Sequence, residues 1–188
     1  ETALLNSIQT VSEASTYVGT LVRESVLLEL SPMMTGLIMT GRIGATITAE
    51  LGSTRVTEQI DALESLSFDP VSFLIMPRVL AAAIMFPILV IVADFCGILG
   101  GLFAAHSAMD VSTQEFVRGF RTFFKPWDAW FGLIKGVFFG VAITSIASYK
   151  GFTTEGGAEG VGKSTTSTVV ISCMTIVLLD YILAEIFL

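Results

Sequence analysis

Gly157 to Ser164, which reads GAEGVGKS, is the stretch of this sequence that matches a catalytic pattern. It fits G-x-x-x-x-G-K-[ST], in which backbone N–H groups cradle a nucleotide phosphate between a strand and a helix. An apolar segment ending near Tyr149 precedes it, and no strands alternate with helices around it. We therefore favour a flexible loop leading into a helix capped by Ser164, Thr165 or Thr166 over a nucleotide site.

Ionisable residues inside apolar segments are the other candidates for chemistry. Such residues are costly in a bilayer, and by default they mark a pathway or a paired interior site. Glu29 and Lys135 each stand alone in a long apolar context. They either face a cavity that holds a polar substrate group or pair with each other or with a preceding segment. Asp94 and Asp180 are interpreted as hydrogen-bonded structure, with a proton relay as the alternative.

The usual residue sets of enzymes and metal sites are missing from the sequence. A Ser-His-Asp site would depend on the single histidine, His106, and nothing points to a partner for it. Cys96 and Cys173 stand in apolar runs, without the Cys and His spacing of a zinc site. We therefore expect no catalytic and no metal-binding residue in this chain.

The composition indicates a membrane protein. Of the 188 residues, 53% are hydrophobic and 14% are charged, and the mean hydropathy is +0.78. A soluble domain carries about 25% charged residues. The formal net charge of −7 leaves no basic surface for nucleic acid. The length suits one domain, so we expect a single transmembrane domain over residues 1–188.

Four segments are apolar enough to span a bilayer, which takes about 20 apolar residues per helix. None shows the strict alternation of a strand, so the expected fold is an all-α, polytopic helical bundle. The first segment is the weakest, because Glu29 and Arg42 interrupt it. The four segments are Ser25 to Ile47, Val79 to Ala105, Ala129 to Tyr149 and Ser167 to Leu188.

The connection between the first two segments, Arg42 to Arg78, is the most highly charged. Within it, an apolar helical face predicts an amphipathic helix outside the bilayer core. Asp69 and Pro70 fit the N-cap and first turn of the next helix. A small excess of Lys and Arg on this side of the membrane places the amphipathic helix in the cytoplasm. The residues of the apolar face are Val56, Ile60 and Leu63.

Glycines recur at four-residue spacing in two of the apolar segments. Small residues at that spacing allow helices to approach closely in a membrane, so we expect these glycines at helix–helix contacts. Trp127 and Trp130, near the start of the third segment, fit an interfacial anchor. The glycines are Gly97 and Gly101 in the second segment, and Gly132, Gly136 and Gly140 in the third.

A family resemblance is carried by Gly41 to Ala81, which reads GRIGATITAELGSTRVTEQIDALESLSFDPVSFLIMPRVLA. It closely resembles the signature of MlaE-type permeases, the membrane subunits of MCE-associated ABC transporters that move phospholipids between bacterial membranes. A second stretch, Gly156 to Ser172, is similar to the family's final cytoplasmic loop and the start of its last span. The resemblance covers essentially the whole chain.

The resemblance implies a multi-pass protein of the bacterial inner membrane that works as a homodimer. Each copy would have five spans after an N-terminal interfacial helix, so the four spans here leave that helix and the first span to a preceding part of the protein. The implied partners are a second permease copy, an ABC ATPase subunit, a periplasmic MCE-domain protein and a small STAS-type regulatory subunit. Phospholipid would be the substrate. No cofactor is expected in this chain, because ATP and Mg would bind the ATPase.

The resemblance also implies roles for particular residues. The amphipathic helix resembles the coupling helix that docks on the ATPase, and Gly52 would permit a tight bend before it. Glu29 matches an acidic residue that lines the lipid cavity, and Leu28 stands where some members have a basic residue. Lys135 matches a span lysine that would meet the lipid phosphate. The positions that match the coupling-helix pattern are Glu50, Gly52, Arg55, Glu58, Gln59 and Asp61.

Three other functions stay open from the residues. One is a proton-coupled secondary transporter that uses Asp94, Asp180 or Glu29, against which the coupling-helix signature argues. Another is a membrane scaffold that holds an MCE protein. The third is a nucleotide-binding enzyme built on the Gly157 to Ser164 stretch. The resemblance favours a lipid-transporting permease over these three functions.

Overall fold

A computed structural model describes residues 17–109, 111–122 and 124–187. Within these ranges the chain forms helices joined by short connections, and it contains no strand. The expectation of an all-α, polytopic fold is confirmed. The helices are α1 (residues 17–25), α2 (Ser31–Met39), α3 (Ala45–Val56), α4 (Gln59–Ser65), α5 (Met76–Met109), α6 (Thr113–Thr122), α7 (Pro126–Phe152) and α8 (Gly157–Phe187).

Of the four predicted spans, three correspond to described helices that are long and apolar enough to cross a membrane. The predicted first span, Ser25 to Ile47, is helical throughout but does not meet this criterion. Its two charged residues lower its hydropathy, and two π-helical turns, Val26–Leu30 and Thr40–Gly44, interrupt its α-helical hydrogen bonding. The three spanning helices are Val71–Ala108, Pro126–Phe152 and Gly157–Phe187.

Prolines account for two π-helical turns. The N–H of Ser31 bonds the carbonyl of Val26, five residues earlier, and the N–H of Met76 bonds that of Val71 in the same way. A proline follows each of these donors, at positions 32 and 77. Because a proline donates no hydrogen bond and its ring crowds the preceding turn, the helix widens just before it.

Asp69 caps the helix that opens the second predicted span, as expected. Its carboxylate accepts a hydrogen bond from the Ser72 hydroxyl at 2.6 Å and from the backbone N–H of Val71 at 3.1 Å. These bonds favour the charged form and hold the pKa of Asp69 below its ordinary value. Pro70 stands in the first turn, where a missing N–H leaves no bond unmade.

Threonines inside the helices satisfy their hydroxyl groups locally. The Thr40 hydroxyl, for example, donates to the carbonyl of Gly36, one turn earlier, at 2.9 Å. Such a bond removes the polar donor from the helix surface without a partner on another element. The same bond occurs at Thr46, Thr144, Thr165, Thr166 and Thr175.

The chain divides into two compact units. The first unit comprises Glu1–Pro32 and Val90–Leu133, and the second comprises Met33–Leu89 and Ile134–Leu188. Each unit therefore combines segments that are distant in sequence, so its interior depends on helix–helix contacts and not on local structure.

In the first unit, α6 packs against α1. Phe116 of α6 is buried in one cluster with Ala105. A Cβ on Gly19 would clash with the Phe116 carbonyl oxygen, so glycine allows the two backbones to touch. The Thr20 hydroxyl donates to the carbonyl of Gly119 at 2.9 Å. The apolar face of α6 is thus covered by protein.

In the second unit, α3 packs against α7 and α8. The Thr48 hydroxyl lies 2.9 Å from the Thr168 hydroxyl and 3.1 Å from the Ala147 carbonyl oxygen. A Cβ on Gly151 would lie 2.7 Å from Leu51 Cβ and 3.0 Å from the Thr48 carbonyl oxygen. Small residues and a buried hydroxyl pair therefore hold α3 in close contact with its neighbours.

Candidate functional site

The predicted coupling residues lie on two short helices joined by a tight turn. α3 ends at Val56, and α4 begins after Glu58, whose φ of 60° lies in the left-handed region. The prediction of one continuous apolar face is therefore wrong, because the turn rotates the later residues away from the earlier ones. Ile60 is fully buried and Leu63 is half-buried, whereas Val56, before the turn, is 38% exposed.

An ion pair spans this turn. Arg55 Nη1, near the end of α3, lies 2.5 Å from Asp61 Oδ1 in α4. The same guanidinium stands 5.9 Å from the ring centroid of Phe152, at the end of α7. Arg55 therefore links the turn to the rest of the second unit by charge and by its contact with an aromatic face.

Gly52 serves a different purpose from the predicted one. It lies inside α3, and the bend falls six residues later, at Glu58. A Cβ at Gly52 would lie 3.2 Å from Thr154 Oγ1 and 3.3 Å from Val161 Cγ2. The prediction of a bend at Gly52 is wrong, since this glycine lets α3 approach the α7–α8 connection.

The surface of the α3–α4 pair is mostly acidic. Four of its predicted coupling residues are exposed, while Arg55 is half-buried and Gly52 is buried. Glu50 Oε2 accepts a hydrogen bond from Arg78 Nη2 of α5 at 3.1 Å. A partner that docks here would meet carboxylates, so basic side chains on that partner would be complementary. The exposed residues are Glu50, Glu58, Gln59 and Asp61.

Lys135 and Asp180 are brought together inside the second unit. Lys135 Nζ, on α7, lies 2.7 Å from Asp180 Oδ1, on α8. Lys135 is 0% exposed and Asp180 is 7% exposed. Removing either partner would leave the other charge buried and uncompensated. The pair therefore gives both ionisable residues a structural role, whatever else they do.

Glu29 and Leu28 lie in the π-helical turn Val26–Leu30 of the first unit. Glu29 is exposed and Leu28 is half-buried, whereas Val26 and Leu27 are buried. Glu29 therefore stands at the surface of the first unit.

The predicted packing glycines lie in crowded positions. A Cβ at Gly132 would lie 2.7 Å from the Leu27 carbonyl oxygen, and one at Gly97 would lie 2.8 Å from Val26 Cγ1. One at Gly140 would lie 2.9 Å from the Ala82 carbonyl oxygen. A Cβ at Gly101 would clash with Val22, and Gly136 is buried.

The GAEGVGKS stretch is not a phosphate-binding loop. α8 begins at Gly157, so Lys163 and Ser164 lie well inside a helix, and the described part of the chain has no strand to precede them. The predicted caps are wrong for the same reason. The hydroxyls of Thr165 and Thr166 donate to carbonyls one turn earlier in α8.

Arg23 is a buried charge that sequence analysis missed. It is 0% exposed, and its Nη1 donates to the Phe120 carbonyl of α6 at 3.1 Å. Its Nη2 lies 3.0 Å from Glu24 Oε1 and 4.0 Å from Asp128 Oδ2. No spacing in the sequence links residues about a hundred positions apart, so only the first unit's packing reveals this anchor.

Several known proteins are similar in sequence to this chain, and two of those compared here are named as ABC transporter permeases. The chain is 41% identical over 174 residues to a probable ABC transporter permease protein of Rickettsia prowazekii, covering 93% of this chain and 67% of the relative. It is 40% identical over 171 residues to one of Synechocystis sp., covering 91% of this chain and 65% of the relative. It is 37% identical over 159 residues to the protein Trigalactosyldiacylglycerol 1, chloroplastic, of Arabidopsis thaliana, covering 85% of this chain and 45% of the relative.

This chain thus spans about two thirds of the length of the bacterial relatives and less than half of the plant one. The sequence model of the family "Permease MlaE" matches residues 4–186. That match covers nearly the whole chain, including the α3–α4 pair and, except for Phe187, the three spanning helices found among the described residues. The chain belongs to the MlaE permease family.

Proposed function

We propose that this permease subunit works in an ABC transporter that moves phospholipid or a related lipid between the bacterial inner membrane and a periplasmic MCE partner. The observation that carries the proposal is the family match over residues 4–186. The name of the Arabidopsis relative contains that of a galactolipid, which supports a lipid substrate. ATP would be hydrolysed on a separate ATPase subunit that binds ATP and Mg, and this chain would supply no catalytic residue.

The α3–α4 pair is the surface on which we propose that the ATPase docks. Glu50, Glu58, Gln59 and Asp61 are exposed, whereas the apolar Ile60 is fully buried. The Arg55–Asp61 pair spans the turn. A short helix fixed in this way would follow the ATPase as a rigid body and pass its movement to α3, which packs tightly on α7 and α8.

The docking proposal can be tested by charge reversal in the full-length permease, expressed with its ATPase. Glu58→Lys combined with Gln59→Lys places cations at two exposed positions where we expect basic partner side chains, and it leaves the Arg55–Asp61 pair in place. We expect the ATPase recovered with the permease to fall about tenfold or more, because like charges across an interface are costly. Glu159→Lys, an exposed reversal in α8, is the matched control. Equal ATPase recovery from all three proteins would contradict the proposal.

We propose that Glu29, Leu28 and Lys135 contact the transported lipid. Glu29 is exposed, whereas Lys135 is held by Asp180, so a phosphate would have to replace Asp180 on the lysine ammonium. We expect Lys135→Ala to lower phospholipid retention and transport. Asp180→Asn removes the carboxylate that a phosphate would replace, so we expect it to preserve or raise retention per folded molecule, although the variant should be less stable than the wild type. Unchanged transport by Lys135→Ala would remove Lys135 from the lipid site.

The wider assembly we propose contains a second permease copy, ATPase subunits, an MCE-domain protein and a small STAS-type subunit. Native mass spectrometry of the complete protein, purified gently from its own membranes, tests this composition. A permease dimer that carries ATPase and phospholipid is the expected result. A lone permease in several detergents, together with pH-driven transport that vanadate does not inhibit, would instead indicate a proton-coupled secondary transporter.

A further inference from the structure

The connection between α4 and α5 presents two apolar side chains to the outside. Leu66 is 68% exposed and Phe68 is 57% exposed. Phe73, in the helical turn that leads into α5, is 62% exposed, and its ring centroid lies 6.4 Å from that of Phe68. Exposed apolar side chains that stand close together, unlike single ones, mark a surface that another molecule covers.

The backbone holds these side chains in one arrangement. At the end of α4, the N–H of Phe68 donates to the carbonyl of Leu63 at 3.1 Å, and the N–H of Ser67 donates to that of Glu64 at 2.9 Å. Ser67 has a φ of 62°, which is the left-handed conformation that closes a helix in this pattern. Asp69 follows directly and caps the next helix. The connection is therefore fixed at both ends, so little conformational entropy remains to be lost when a partner binds.

The side chains around the connection carry negative charge. Between Arg55 and Arg78 the sequence holds four carboxylates and no lysine or arginine, and all four carboxylates are exposed. An anionic membrane surface attracts basic segments and repels acidic ones, so it does not suit this part of the chain. A protein surface with basic side chains does suit it. The carboxylates belong to Glu58, Asp61, Glu64 and Asp69.

The bilayer can be crossed without the connection. Arg78 separates the connection from the apolar segment Val79 to Ala105. As a helix that segment is about 40 Å long, which exceeds the roughly 30 Å of the hydrocarbon core. Leu66 and Phe68 precede Arg78 in the chain, so their apolar surface is not required inside the membrane.

We propose that Leu66 and Phe68 form an apolar anchor that inserts into an apolar pocket of the ATPase, with basic side chains of the ATPase around that pocket. This rests on the proposed docking of the ATPase on the α3–α4 pair, which the anchor extends beyond Asp61, the last residue of the coupling-helix pattern. In protein interfaces a few well-packed side chains supply most of the affinity, whereas charges at the rim mainly speed association. The anchor would hold the ATPase, and the carboxylates would attract it.

The test measures binding of the purified ATPase to the full-length permease in lipid nanodiscs. We expect Leu66→Ala combined with Phe68→Ala to raise the Kd about tenfold or more, mainly through faster dissociation. Because both side chains are exposed, the melting temperature should not change. Phe103→Ala removes a 76% exposed phenylalanine from the apolar segment of α5, and as the matched control it should bind like the wild type.

Two variants of Ser67 test whether the fixed backbone contributes. Ser67→Gly keeps the left-handed conformation without steric cost and should bind like the wild type. Ser67→Val places a β-branched residue at a φ of 62°, so it should weaken binding several-fold although both anchor side chains remain. Glu58→Lys with Gln59→Lys should instead lower the association rate, and its effect should shrink as the salt concentration rises.

An unchanged Kd for the double alanine variant, with Glu58→Lys and Gln59→Lys still weakening binding, would overturn the anchor and leave the proposed docking intact. Failure of the wild type to bind the ATPase would overturn the proposed docking itself. The two failures are therefore distinguishable within one set of measurements.

A tryptophan at the anchor separates a protein partner from the membrane. Leu66→Trp is introduced together with Trp127→Phe and Trp130→Phe, so that it is the single source of fluorescence. We expect the ATPase to shield this tryptophan from acrylamide, an aqueous quencher. Quenching by lipids brominated near the headgroup, unaffected by the ATPase, would show that the side chain inserts into the membrane surface and would refute the anchor.

Discussion

At the scale of single residues, the Lys135–Asp180 pair carries a large desolvation cost. Both charges lie almost wholly out of solvent, and 2.7 Å separates the two atoms. The desolvation of such a pair offsets much of its Coulomb attraction, so its net contribution to stability is small. Losing one partner is different, because it leaves a bare charge inside the protein.

We expect Lys135→Met to lower the free energy of unfolding by about 3–5 kcal/mol, the usual cost of breaking a buried ion pair. The double variant Lys135→Met with Asp180→Leu should recover most of that loss, since no buried charge remains. Thermal unfolding in one detergent measures both. If the double variant were as unstable as the sum of the two single changes, the pair would not be the source of the effect.

Asp69 gives a pH-dependent prediction. Hydrogen bonds from the Ser72 hydroxyl, the Val71 N–H and the Ser72 N–H depress its pKa in the folded state. Its contribution to stability is therefore complete above the ordinary value of 3.8 and is lost as the pH falls through the lower, folded pKa. We expect Asp69→Ala to lower the melting temperature at pH 7, and the gap to the wild type to close below pH 3.8. A gap that is constant with pH would contradict this.

At the scale of elements, α3 depends on close contact with α7. A Cβ at Gly151 would lie 2.7 Å from Leu51 Cβ and 3.0 Å from a backbone carbonyl of Thr48, and the carbonyl cannot move without shifting the helix. Overpacking of this kind costs about 1–3 kcal/mol. This close contact holds α3 at the position from which the chain turns into α4.

We therefore expect Gly151→Ala to destabilise the permease by about 1–3 kcal/mol. Gly162→Ala is the matched control, because a Cβ there meets nothing within 4 Å on an exposed face of α8. It should be neutral or stabilising by up to about 1 kcal/mol, since alanine favours helix over glycine. Chemical unfolding of both proteins makes the comparison, and equal stabilities would show that α3 and α7 are less tightly packed than described.

Sequence could predict the helix ends that side chains define, but not those that the backbone defines. Asp69 and Pro70 are preferred residue types at a helix start. Asp69 does cap the helical turn that leads into α5. α8 instead begins at Gly157, directly after Gly156, and both glycines have positive φ. No Ser, Thr, Asn or Asp side chain caps the helix there. The sequence does not predict the turn at Glu58 either, because glutamate is not a residue type that favours the left-handed region.

At the scale of the whole molecule, composition sufficed for the class of protein. A mean hydropathy of +0.78 indicates spanning helices, and three of the four predicted spans are helices that meet the requirement. The contacts of the candidate site were harder to predict from the sequence, because they join residues that are far apart in it. Lys135 and Asp180 are adjacent only once α7 and α8 pack, and Arg23 reaches Asp128 in the same way. A periodic pattern identifies the apolar face of one helix, but it does not show which other helix that face packs against.

The two tryptophans allow the membrane position of the molecule to be checked. Trp127 and Trp130 are 50% and 63% exposed at the start of α7, where a spanning helix begins. We expect tryptophan fluorescence of the reconstituted permease to be quenched more by lipids brominated near the headgroup than by lipids brominated at the chain ends. The double variant Trp127→Phe with Trp130→Phe has no tryptophan and gives the background fluorescence. Stronger quenching from the chain ends would place the start of α7 inside the hydrocarbon.

The threonines of the spanning helices have a consequence for how the chain enters a bilayer. Their hydroxyl protons are bonded one turn earlier in the same helix, as at Thr144, which donates to Gly140 at 2.8 Å. A threonine bonded in this way presents mainly its methyl group to its surroundings. A transfer scale that counts each hydroxyl as hydrated will underrate these segments, so the translocon should partition them into lipid more readily than their summed residue values suggest.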